Sequence, residues 1–171
     1  MTQVAVVVGP VGVGKSAVLR EADSLLVEAG VLHATVELEE VARFWPAVNA
    51  KGDLAYRNLA ALWANYKAAG ANRLLIGMLA ESRMDLSNVY SAIPGAEITV
   101  VRLEAPLPLI EERIRLRESS ATDELNAARW WVSRLEQSHL ADLVVDNGGR
   151  RPREAASEML HRLGWLPARA S

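Results

Sequence analysis

Gly9-Pro10-Val11-Gly12-Val13-Gly14-Lys15-Ser16 fits the pattern G-x-x-x-x-G-K-[ST], whose residue types at that spacing suit the capture of phosphate. Glycines at these positions tolerate positive φ and let the backbone approach an anion with no Cβ in the way. Successive N–H groups then curl round a β-phosphate, and the positive end of the following helix points at the same charge. Lys15 reaches the β- and γ-phosphates as a point charge, and the Ser16 hydroxyl is placed to ligate Mg²⁺. The expected ligand is a nucleoside triphosphate, with Gly9 to Ser16 and the next residue, Ala17, around its phosphates.

Such a loop must sit between a buried strand and a helix, and the flanks fit. Val4 to Val8 is a β-branched apolar run, as in a buried central strand. Ala17 to Leu26 carries Val18, Leu19, Ala22, Leu25 and Leu26 on one helical face, and Gly30 is a natural stop. Leu32 to Val36 reads as a second strand, with Glu37 and Glu39 at its carboxyl end. A short helix from Val41 to Trp45 is expected to stop at Pro46. Asp53 is an expected N-cap for a helix from Leu54 to Ala69. Asn72 to Leu79 reads as a third strand, Met84 to Ile93 as a helix and Glu97 to Leu103 as a fourth strand. Leu107 to Glu118 and Glu124 to His139 are helices separated by the small polar stretch Ser119 to Asp123. Asp142 to Asp146 is a fifth strand, Asn147-Gly148-Gly149 a turn and Pro152 to Leu163 a last helix, with a frayed tail from Pro167. Alternating strands and helices predict an α/β fold with a parallel sheet and right-handed crossovers. Nothing in the chain splits it, so residues 1–171 are expected to form one nucleotide-binding domain.

Composition narrows the function. Half of the 171 residues are hydrophobic and 23% charged, which is globular. A formal net charge of -2 gives no electrostatic case for nucleic acid or a membrane. The absence of cysteine excludes disulfides and thiolate chemistry, and His33, His139 and His161 share no metal-ligand spacing. The early start of the first strand and the lack of a long apolar run predict a cytoplasmic protein. Trp63, Trp130, Trp131 and Trp165 read as packing residues.

In its phosphate loop and in Leu109-Ile110-Glu111-Glu112-Arg113-Ile114-Arg115-Leu116-Arg117, the chain resembles the P-loop small-molecule kinases, the group of adenylate, shikimate and gluconate kinases and chloramphenicol phosphotransferase. The resemblance implies a three-layer α/β/α P-loop NTPase fold with five parallel strands in the order 2-3-1-4-5. It also implies a short helical lid within about 113–134 and an acceptor-side region within about 37–83. By the same resemblance Arg113 packs on adenine and Arg117 contacts phosphate, which a planar guanidinium can do in either role. Arg129, beyond the lid stretch, is placed to close over the phosphates, and Arg134 is a further candidate. The alternative for the arginine run is a solvated face paired with Glu111, Glu112 and Glu118. Asn147 and Gly148 stand where these enzymes put a loop against adenine, although an ordinary turn explains them equally well.

Phosphoryl transfer to an alcohol also needs a metal holder and a carboxylate near the acceptor. Relatives carry an acidic pair after the second strand, so Glu37 is the candidate base or holder of a Mg²⁺-bound water, with Glu39 next. The alternative is an exposed acidic start to a short helix. Trp45 is a candidate for the acceptor pocket, with Arg43 and Arg83 as candidate anion anchors there. The third strand lacks the usual acid: Gly77 stands where an aspartate is expected, and Glu81 is the nearest carboxylate. These readings predict an ATP-dependent phosphotransferase acting on a small molecule, as a monomer or homodimer. The missing acid leaves open a nucleotide-binding regulator or weak ATPase without an acceptor. A GTPase is disfavoured because no N-K-x-D guanine motif is present.

Overall fold

A computed structural model describes residues 1–45, 51–80, 82–117 and 122–166. Val4 to Val8 have no polar side chain to keep at a surface, and strand β1 (Gln3–Val8) is buried on both faces at the centre of the sheet. Its alternation sorts the core into two layers: Ala5 and Val7 face one hydrophobic cluster, Val4, Val6 and Val8 the other. The remaining strands are β2 (His33–Glu37), β3 (Arg73–Gly77), β4 (Glu97–Glu104) and β5 (Leu143–Asp146). All pairings are parallel, as the alternation of strands and helices predicts, and the order is β2-β3-β1-β4-β5, as the resemblance implies.

Helices α1 (Lys15–Glu28) and α6 (Pro152–Arg162) cover the first face through Leu19, Leu26, Met159 and Leu160. Helices α2 (Lys51–Ala68) and α3 (Arg83–Ala92) cover the second through Leu59, Trp63, Leu86 and Val89. Helix α4 (Leu107–Arg117) drives Ile110 and Ile114 under the phosphate loop, and α5 (Thr122–Ser138) returns the chain to β5. Every strand thus ends at one edge, where open α/β sheets bind ligands.

Five local expectations are corrected. The stretch from Val41 to Trp45 is no helix: a short 3-10 turn spans Glu40–Ala42 and Arg43 is already extended. The Val41 carbonyl, which a continuing helix would need, accepts a hydrogen bond from Asn58 Nδ2 at 2.7 Å. The third strand stops at Gly77 because the Leu79 N–H leaves the ladder for Glu39 Oε1, at 2.8 Å. Helix α2 begins at Lys51, so Asp53 lies in its first turn rather than capping it, and α5 begins at Thr122. Asp123 and Glu124 suit that first turn, where the helix end is positive. Trp130 is half exposed, unlike Trp63 and Trp165. It lies off the inward stripe of Ala128, Trp131 and Leu135 and meets Trp131 edge-on. Pro46, Glu81, the 118–121 part of the expected lid and the tail from Pro167 lie outside the described residues.

Candidate functional site

The site begins with an uncapped helix. Gly14 precedes α1 at φ 101°, no side chain caps the first turn and no acid lies within it, so the helix end is left to an anion. Glycine is required there by conformation and by space. A Cβ on Gly14 would come to 2.7 Å from Asn147 Nδ2, and one on Gly12, at φ 83°, to 2.7 Å from Ile114 Cγ1.

The loop is braced from behind. Asn147 Nδ2 and Arg113 Nη1 both donate to the Val13 carbonyl, at 2.8 and 3.0 Å, and Arg113 Nη2 donates to the Asn147 carbonyl at 2.9 Å. Arg113 is half-buried and serves the loop, while its neighbour Arg115 makes a surface pair with Glu111, the solvated-face alternative. Asn147 is buried, and its Oδ1 is an acceptor with no partner among the described residues. This bracing by side chains was not legible in the motif; the only hint was an asparagine directly after a strand.

Lys15 Nζ donates to the Gly9 carbonyl at 2.8 Å. Burial pushes its ammonium below the ordinary lysine range, against the opposing pull of Glu39 and Glu37. Ser16 Oγ donates to Glu37 Oε2 at 2.6 Å. One cavity of about 420 Å³ gathers Pro10, Val11, Gly12, Gly14, Lys15, Ser16 and Ala17 with Glu37, Glu39, Arg113 and Arg117, and adds Arg20. A second, of about 770 Å³, brings Arg43 and Trp45 together with Phe44, Tyr56 and Met78. The two cavities share Glu39 and Leu79, so they meet at a carboxylate.

Other candidates are held elsewhere. Arg129 Nε donates to Glu111 Oε1 at 2.7 Å, and with Arg115 it holds that carboxyl below its usual range. Arg117 lines the phosphate cavity while paired with Glu124 at 2.7 Å. Arg83 is exposed at the start of α3 and lines neither cavity. Gly148 N donates to Asp146 Oδ1 at 2.7 Å, an Asx-type turn. Among the described residues no cluster of three histidine or acidic side chains is placed to hold a metal.

The missing third-strand acid has a steric cause. A Cβ on Gly77 would stand 2.5 Å from Leu19 Cδ1, so α1 packs where an aspartate would begin. Glu37 is its Cα partner across the strand pair, which puts a carboxylate at the same level of the sheet one strand over. Gly77→Asp is therefore expected to destabilise the fold by at least the about 1–3 kcal/mol of an overpacked core, with no gain in activity. A thermal melt alongside an activity assay checks this; an unchanged melting temperature would show that Leu19 can yield.

Phosphate loop, strand order and α/β/α layering together define the P-loop kinase fold. No protein-family model and no curated protein matches the sequence. Solved structures of the same fold include a sugar kinase from Janibacter sp., 21% identical, with a TM-score of 0.68 over 100% of this chain and 99% of that one. The tunicamycin resistance protein of Deinococcus radiodurans is 19% identical, with a TM-score of 0.66 over 97% and 98%. The APS kinase CysC of Mycobacterium tuberculosis, solved with AMPPNP and APS, is 20% identical, with a TM-score of 0.65 over 95% and 98%.

Proposed function

We propose that this protein is an ATP-dependent phosphotransferase that moves the γ-phosphoryl group to a hydroxyl of a small molecule. The observation that carries this reading is the meeting of the phosphate cavity and a second cleft at Glu39, beside Lys15 and the Ser16–Glu37 pair. A hydrolase needs only the first cavity; a transferase needs both. The sugar kinase and the APS kinase of the same fold support the choice.

The loop N–H groups and Lys15 hold the β- and γ-phosphates, and Arg117 turns from Glu124 to the same charge as it develops. Arg113, with Asn147 and Gly148, forms the base side, where Asn147 Oδ1 is a free acceptor for an exocyclic amine. The acceptor oxygen forms a bond to Pγ while the bond from Pγ to the bridging oxygen breaks. Its proton passes to Glu37, or to Glu39, and then to water, leaving ADP and a phosphate monoester. Mg²⁺, when bound, supplies charge neutralisation across the phosphate oxygens. Ser16 Oγ and Glu37 Oε2 are hard oxygen donors in contact, which fits such an ion. Arg43 and Trp45 line the acceptor side, and Arg83 stands further out. Closure of α5 over the site excludes water.

The test is a thermal-shift titration with Mg²⁺ and a non-hydrolysable ATP analogue, followed by ADP release from ATP with and without hydroxylated metabolites. Saturation at about 100 times the dissociation constant is expected to add roughly 2.7 kcal/mol, a shift of several degrees. Stimulation of ADP release by an acceptor supports the transferase. A slow release that no acceptor moves favours a regulator or weak ATPase, and no shift at all removes nucleotide binding. Among the described residues no helix is long and apolar enough to cross a membrane.

A further inference from the structure

The second cleft carries information about its occupant. Its floor is apolar, formed by the buried side chains of Leu38 and Met78. Two aromatic rings stand on its wall well exposed: Trp45 at 87% and Phe44 at 54%. Tyr56 completes the aromatic set from α2. Large exposed apolar side chains gathered round one concavity are the signature of a binding surface, and flat rings favour a flat apolar partner.

The charges at the cleft point the same way. Glu39 lies at its inner end and Glu37 just beyond, beside Lys15. Burial, and after it the charges of Asp85 at the start of α3 and of Glu39, push the Tyr56 phenol upward. The one cation among the described lining residues is Arg43, and its guanidinium is matched by Glu40. Lys15, Arg20, Arg113 and Arg117 line the adjoining cavity, on the donor's side. Among the described lining residues an anionic acceptor would find one cation, Arg43, already paired with Glu40, whereas an ammonium group would find Glu39 and ring faces.

Resting on the phosphotransferase reading above, we propose that the acceptor is an alcohol carried on an apolar, aromatic body that is uncharged or cationic, and that anionic sugar-type acceptors are turned away. The hydroxyl is presented at Glu39, where the cleft opens into the phosphate cavity, and the ring lies against Trp45 and Phe44. The transfer is the one already balanced: the acceptor oxygen gains Pγ, the bridging oxygen leaves on ADP and the acceptor proton passes through a carboxylate to water.

A set built on one phenylpropyl frame but differing in charge tests this: 3-phenylpropane-1,2-diol, phenylalaninol and phenyllactate, with gluconate as an anionic polyol that lacks the ring. Each is added to the full-length protein with Mg²⁺ and ATP, and ADP release and phosphate-ester mass are followed. The neutral and cationic alcohols are expected to stimulate release with kcat/KM at least about tenfold above phenyllactate and gluconate, since like charges brought together are strongly disfavoured. If phenyllactate or gluconate is used as well or better, the acceptor class is overturned and the phosphotransferase stands. If no member moves ADP release in a protein whose melting shifts with nucleotide, the acceptor class falls, and the phosphotransferase reading is then decided by the wider panel of hydroxylated metabolites. Trp45→Ala supplies the second readout, because so exposed a side chain is dispensable for folding. The KM for phenylalaninol is expected to rise about tenfold with kcat little changed, the weight of one lost ring contact; an unmoved KM would remove the aromatic wall from the proposal.

Discussion

Lys15→Ala is expected to cut acceptor-dependent ADP release by about 10²–10³-fold, the usual effect of removing one fixed donor from a site of developing charge. The loop would survive the change. Its shape is set by Gly12 and Gly14 and by the hydrogen bonds of Asn147 and Arg113 to the Val13 carbonyl, and the lysine adds to these a single bond to the Gly9 carbonyl. Stability has the opposite sign from activity. Burial lowers the Lys15 pKa from its ordinary 10.5, so the native protein carries an ammonium it would rather not hold. As pH rises toward 10.5 the native state sheds that proton before the unfolded chain does. The unfolded chain then binds more protons, and the wild type gains stability with pH. The nucleotide-free variant is thus expected to melt no lower than wild type at neutral pH and to lose its relative advantage as pH rises. Melting curves at neutral and alkaline pH, beside a transfer assay, check both halves. A variant that transfers at the wild-type rate would remove Lys15 from the mechanism.

That contrast marks what the sequence could convey. The central strand and the phosphate loop were legible because each rests on a local pattern with one physical solution, whereas the strand order came only with the family resemblance. A β-branched run from Val4 to Val8 must be buried, and a glycine loop after it must turn into a helix. The acidic pair was legible as a position at a strand's end, and the structure does bring Glu37 to Ser16 and Glu39 to the junction of two cavities. What could not be read depends on distant partners. The resemblance singled out Arg113 over Arg115, but the carbonyl Arg113 braces lies 100 residues away, and nothing in its neighbourhood shows that role. Arg129 is one helix away from the phosphate cavity because Glu111 takes its guanidinium, a competition that helical spacing within one element cannot reveal. Gly77 looked like a defect in the third strand; it is the space Leu19 needs. The aromatic cleft was half legible: Trp45 stood out, but Tyr56 and Met78 reach it from other elements.

The role of the acidic pair is open to a sharper experiment, for which Glu37→Gln is the stronger arm. The amide carbonyl can still accept the Ser16 hydroxyl hydrogen bond now made at 2.6 Å, so the strand end should keep its shape. Only the charge and the capacity to take a proton are lost. If Glu37 is the base, kcat is expected to fall about a hundredfold, the lower part of the range for general base catalysis, with the KM for ATP nearly unchanged. Excess Mg²⁺ would not restore it. If Glu37 instead helps to hold the ion, the Mg²⁺ concentration for half-maximal rate rises and a saturating concentration recovers most of kcat. Glu39→Gln separates the pair, since its carbonyl can still accept from the Leu79 N–H and its position between the cavities is kept. A deep loss of kcat there, with Glu37→Gln nearly silent, would move the proton to Glu39. Wild-type kcat in both single variants and in the double variant would mean that neither carboxylate takes the proton, and the transfer would then have to proceed without a protein base, driven by the charge that Lys15 and the loop gather at the γ-phosphate.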